Sequence, residues 1–136
     1  PIGLVGTGFP VVTAGSEGRV AFGYVGDVGN QTWHGYMTIL TDAFSDNPLF
    51  TTVQVNQPDD PIDSSNAYTE GCGYERCGGL GDFLDMAVDK YGRPWFSLAN
   101  NDQGEIGIFA TITEGPSLRG DLTELSPIPL GGIVTI

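Results

Sequence analysis

The chain has 136 residues, a formal net charge of −12 and a single lysine among its five basic residues. That balance opposes binding to nucleic acid or to an anionic membrane surface, because the long-range electrostatic term is repulsive. No run of about 18 apolar residues is present to span a bilayer, and 21 Gly and 9 Pro without a sustained helical period point to an all-β chain.

The first element is a strand, turn and strand over Val12–Val25, with Gly18-Arg19 at the exit of the turn. Asn30-Gln31-Thr32 follows in a turn and forms an N-glycosylation sequon on Asn30. Strands are predicted over Val20–Val25, Trp33–Leu40 and Phe50–Val55, each rich in β-branched or aromatic residues. His34, the single histidine, reads as a strand-surface or edge residue, with general-base duty as the alternative. Trp33, Tyr36, Trp95 and Phe96 suit packing between sheets, with a sugar-stacking platform as the alternative.

Asn56–Gly81 is loop-like, with Pro58, Pro61 and both cysteines. Cys72 and Cys77 enclose Gly73-Tyr74-Glu75-Arg76 in a polar setting. A local disulfide would fix the shape of this loop while stabilising by only ~2 kcal/mol, given so small a ring. It would place the chain outside the cytosol. A zinc pair would need two further ligands, and free thiols are the remaining reading. Asp59, Asp60 and Asp63 precede the cysteines, and Asp82 and Asp85 follow them. Carboxylates of this kind suit Ca²⁺, although the spacing is not that of an EF-hand. A solvated acidic loop is the plainer alternative.

The clearest pattern comes next. Leu84, Met86 and Val88 alternate with Asp85, Ala87 and Asp89, the period of a half-buried strand. Asp89-Lys90-Tyr91-Gly92 is turn chemistry. Strands follow over Pro94–Ala99 and Ile106–Thr113. Leu122–Leu125 or the Pro-rich tail is left as a poor fourth strand, because Pro127 and Pro129 cannot donate to a ladder.

The two halves repeat. Gly18-Arg19 matches Gly92-Arg93, Phe22 matches Phe96 and Tyr24 matches Leu98, at an offset of 74 residues. With the Asn56–Gly81 insertion set aside, the unit falls within the ~40–50 residues of a propeller blade. The organisation expected is one blade over about 11–55, the insertion over 56–81, a second blade over about 82–129 and a C-terminal strand over 130–136.

The segments VAFGYVG (Val20–Gly26), TWHGYMTILTDAF (Thr32–Phe44), FTTVQVN (Phe50–Asn56) and GDFLDMAVDKYGRPW (Gly81–Trp95) resemble blades of the sialidase-like, Asp-box β-propellers. Thr41-Asp42 would open an Asp box and Phe50 would close it, although Asp46-Asn47-Pro48 stand where the family has its glycine. The resemblance implies two four-stranded antiparallel blades of a propeller that is incomplete on its own.

The arginine cluster of a sialidase is not recognisable. Arg19 and Arg93 occupy the repeated turn position and read as structural, and Arg76 lies between the cysteines. The start at Pro1 without a Met reads as a processed chain or a fragment. The expectation is therefore a non-catalytic scaffold or interaction module, extracellular, at the cell surface or periplasmic, completed by further blades or other chains. The alternative is part of a glycan-processing hydrolase whose site is completed by other blades.

Overall fold

A computed structural model describes residues 3–64, 84–102, 106–122 and 124–125. The described residues form two antiparallel sheets and no helix. The first sheet is a meander of β1 (Gly6–Ala14), β2 (Val20–Asp27), β3 (Trp33–Leu40) and β4 (Thr51–Gln54), paired in chain order. The second contains β5 (Asp85–Val88), β6 (Pro94–Asn100) and β7 (Ile106–Thr111), also in chain order.

The two halves are equivalent in detail. In the first hairpin the Gly15 N–H donates to the Arg19 carbonyl at 3.0 Å, and in the second the Asp89 N–H donates to the Arg93 carbonyl at 2.9 Å. Gly18 and Gly92 hold the same place in these turns, at φ +73° and +82°. That left-handed region is open to glycine at no steric cost. Both arginines leave the turn to start the second strand of their sheet. The register agrees as well. Phe22 pairs with Thr38 and Val25 with Gly35 in the first sheet, as Phe96 pairs with Ala110 and Ala99 with Gly107 in the second.

Two expectations differ in detail. Of the four strands expected of the second sheet, three lie among the described residues, and the Pro-rich tail, the alternative fourth strand, lies outside them. Among the described residues, the proposed strand at Leu122–Leu125 is represented by Glu124, in an isolated bridge with Pro116, and by the Leu125 N–H, which donates to the Gly115 carbonyl at 2.9 Å. Residues 117–120, just before that segment, are bound to the two hairpin turns. The first strand also begins earlier than residue 11. It starts at Gly6 and contains a bulge, where Phe9 and Pro10 together stand opposite Tyr24. Phe9 has φ +51°, and the bulge accommodates a proline that cannot donate to the ladder. The proposed strand over residues 130–136 lies outside the described residues.

The sheets pack through one face of each. Val12, Phe22 and Tyr24 share one face of the first sheet, and Ala21, Gly23, Val25, Gly35 and Met37 share the other, as strand alternation requires. The second sheet lays Met86, Phe96 and Leu98 on this small-residue face. A Cβ built on Gly23 would stand 2.6 Å from the Phe96 ring, and one on Gly35 would stand 2.6 Å from Leu98. The core comprises Ala21, Val25, Met37, Ile39, Phe96 and Leu98, closed by Ile62 at one end and Leu118 at the other.

Both ends are stitched by hydrogen bonds. At the hairpin end, the Ser16 N–H donates to the Leu118 carbonyl at 2.8 Å, and the Leu118 N–H donates to the Gly92 carbonyl at 2.9 Å. The Arg19 guanidinium donates to the Ser117 carbonyl and the Arg119 guanidinium to the Lys90 carbonyl, each at 2.5 Å. At the far end the Trp33 N–H donates to the Asp63 carbonyl at 2.8 Å, and the Asn101 N–H donates to the Ile62 carbonyl at 2.7 Å.

The contact at Gly23 and the open surroundings of Gly107 make opposite predictions for the same substitution. Gly23→Ala forces a methyl into the Phe96 ring and is expected to cost about 1–3 kcal/mol, as overpacking does. Gly107 has nothing within 4 Å of a built Cβ. Gly107→Ala is expected to change stability by less than about 0.5 kcal/mol, as at ordinary surface positions. Urea denaturation of the two variants measures both, and equal losses would contradict this packing.

Candidate interaction faces

The face of the first sheet that looks away from the second sheet carries an apolar cavity. It is a cleft of about 720 Å³ lined by Leu4, Thr7, Gly8, Pro10, Phe22, Tyr24, Thr38 and Phe50. Its floor is built by alternation on β2 and β3, and the β1 bulge turns Pro10 onto its wall. Val12 is 61% and Phe50 65% exposed beside it. The Tyr24 and Tyr36 rings stack at 5.7 Å between centroids. The Tyr24 hydroxyl lies 3.3 Å from that of Thr38, which lies 2.8 Å from that of Thr52. Burial and the neighbouring Tyr24 both hold the Tyr36 phenol above its ordinary pKa. Among the described residues, no charged side chain lines the cleft.

The outer face of the second sheet is smaller and different. A groove of about 160 Å³ runs between Asp85, Met86, Ala87, Trp95, Ser97 and Phe109. Phe109 is 70% exposed at its wall. The carboxylate of Asp85 accepts from the Met86 N–H at 2.8 Å.

No protein-family model, curated protein or solved structure matches this chain. The functional reading therefore rests on the residues themselves. Trp33, Tyr36, Trp95 and Phe96 do not form one platform. Trp33 and Phe96 lie in the core between the sheets, Tyr36 faces the opposite way, and Trp95 lines the groove of the second sheet. Asn30 sits exposed in the turn before β3 at φ +55°, where the Val28 N–H donates to the Thr32 carbonyl at 3.0 Å. Asp59 and Asp60 are exposed, Asp63 is buried where its backbone meets Trp33, and Asp85 is exposed on β5. Cys72, Cys77 and Asp82 lie outside the described residues. Among the described residues no group of three or more His, Cys, Asp or Glu side chains is placed to hold a metal ion.

The arginines serve the turns. Arg93 is buried, lies 3.8 Å from the Asp89 carboxylate and stacks over the Tyr91 ring at 5.4 Å. Burial works against the ionised form of Asp89. The N–H groups of Arg93, Tyr91 and the Trp95 indole, with the guanidinium of Arg93, outweigh it and hold the carboxyl below its ordinary range. Arg119 pairs with Asp121. In the β3–β4 loop, Asp42 accepts from the Leu49 N–H at 3.1 Å.

His34 is the polar centre that the sequence did not reveal. It is buried, not a strand-surface residue. The Asn56 side-chain carbonyl accepts from the Gly35 N–H at 2.9 Å, which turns its amide nitrogen toward His34 Nδ1, also at 2.9 Å. The Gln54 amide nitrogen donates to the same Nδ1 at 3.1 Å. Two donors on Nδ1 require the neutral ring with its proton on Nε2. Burial lowers the His34 pKa in the same sense.

A histidine whose folded pKa is depressed contributes stability that is fully present above its unfolded pKa, near 6.5, and is lost as the pH falls below it. The melting temperature is therefore expected to decline between pH 7 and 5.5. His34→Gln is expected to melt lower at pH 7 and to flatten that decline. Parallel slopes in the two proteins would remove His34 as its source.

Proposed function

We propose that this chain is a non-catalytic scaffold or interaction module of a larger propeller-like assembly outside the cytosol, and that its uncovered sheet faces bind further polypeptide. One observation carries the reading. Phe22 and Phe96 are equivalent in the repeat, yet Phe96 is fully buried against the neighbouring sheet while Phe22 lines an open apolar cleft. In repeat architectures each unit buries its face on the next, so an uncovered copy marks where a neighbour belongs. The described lining of the cleft is aromatic and uncharged in a chain of net charge −12. It thus favours an apolar protein surface over a charged small ligand. The described arginines are engaged in turns or in the stitch between them, which supports a structural role over carboxylate recognition. The location outside the cytosol rests on the cysteine pair and the sequon.

Hydroxyl-radical labelling of the protein isolated from its natural source tests this. Phe22, Tyr24 and Phe50 are expected to label more slowly in that material than in the dilute isolated chain, while Phe44, exposed on the β3–β4 loop, labels equally in both. Equal labelling of the three in the two samples would contradict an occupied face. Turnover of a fluorogenic sialoside by that material, lost when this chain is removed, would contradict the non-catalytic part.

A further inference from the structure

The packing of the two sheets is directional. Were they related by a two-fold axis, the equivalent residues Phe22 and Phe96 would both face the interface, as they must in an isologous contact. Instead Val12, Phe22 and Tyr24 point away, while their equivalents Met86, Phe96 and Leu98 point in. The front face of the second sheet therefore lies on the back face of the first. Among the described residues, one front face, on the first sheet, and one back face, on the second, are left unused.

The unused back face keeps part of the surface that receives a front face inside the molecule. Gly35 receives Leu98, and its register equivalent is Gly107, whose would-be Cβ meets nothing within 4 Å. Gly23 receives Phe96, and its equivalent is Ser97 at the floor of the 160 Å³ groove. Where Ala21 and Met37 flank the internal seat, Trp95 and Phe109 flank the outer one. Ser97 raises the floor and the two aromatics raise the walls, so an incoming ring would sit further out than Phe96 sits on Gly23. Among the described residues, Asp85 is the one charged group on this groove, and the front cleft has none.

We propose that the partner covering these faces is a second copy of this chain, bound head to tail. The Phe22 and Tyr24 face of one copy seats on the Ser97 and Gly107 face of the next and repeats the internal contact between molecules. This rests on the scaffold reading above and names its partner. Because the contact is heterologous, it continues until a ring closes or an open chain results. Both molecules are acidic, so association strengthens as salt screens their repulsion.

The test uses two surface variants. Val12→Asp blocks the front face and Phe109→Asp the back face, and both positions are largely exposed, at 61% and 70%. In sedimentation velocity over a concentration series at high and low salt, the unaltered chain is expected to associate into a closed ring or an open chain, more so at high salt. Each variant alone is expected to associate at least tenfold more weakly. An equimolar mixture is expected to form a 1:1 dimer, because a front-blocked chain keeps its back face and a back-blocked chain keeps its front. Circular dichroism checks that both variants fold, and Phe50→Asp and Gly107→Arg substitute for one that does not. An unaltered chain that is monomeric at every concentration and salt would overturn the proposal. So would loss of association in the Val12 variant with none in the Phe109 variant, which would indicate front-to-front pairing. A monomeric isolated chain whose Phe22 is nevertheless protected in the natural material would overturn self-association alone and leave the scaffold reading standing.

Discussion

The seating of Phe96 on Gly23 is the contact from which the rest of the arrangement follows. The ring lies so close to the β2 backbone that any side chain at this position would collide with it. Full burial of a phenylalanine side chain stabilises by roughly 1.5–3 kcal/mol, and here it also fixes which way the second sheet faces. Leu98 repeats the contact one strand over, on Gly35. Bare backbone on β2 and β3 thus accepts large apolar groups from β6, and the two sheets meet as unlike surfaces.

Side-chain contact between two sheets leaves them free to slide or rotate, and the chain removes that freedom at both ends. Residues 61–64 tie the start of β3 to the end of β6, and residues 117–120 tie the two hairpin turns together. Ile62 and Leu118 close the core beneath these ties. The equivalent arginines are consumed in the same task, Arg19 by the Ser117 carbonyl and Arg93 beside Asp89. Residues that could have recognised a ligand are instead spent on holding the sheets in register.

Much of this was legible in the residues, for physical reasons. Alternation marked β5, because Met86 is buried while Asp85 and Ala87 are exposed. The Gly-Arg turns marked the repeat, because few residues satisfy a left-handed turn position. The segment after β7 is hard to read because residues 117–120 bond to turns far away in sequence, and strand propensity carries no trace of such partners. The bulge at Phe9 and Pro10 was hidden because proline argues against a strand unless its unpaired position is known. Gly23 and Gly35 held a readable signal: small residues alternate with Phe22 and Tyr24 along β2, which marks a surface approached closely from one side. The His34 centre held none, since Gln54 and Asn56 meet it only through the β3–β4 register.

Front-to-back stacking of equivalent sheets is the central claim, and proton–proton distances test it most directly. With phenylalanine rings selectively labelled, the nuclear Overhauser spectrum of the chain at a concentration low enough to be monomeric should connect the Phe96 ring to the Gly23 Hα protons. The Phe22 ring should show no contact with the second sheet. Contacts from Phe22 and Phe96 to each other would mean that both equivalents face inward, and the directional account would be wrong.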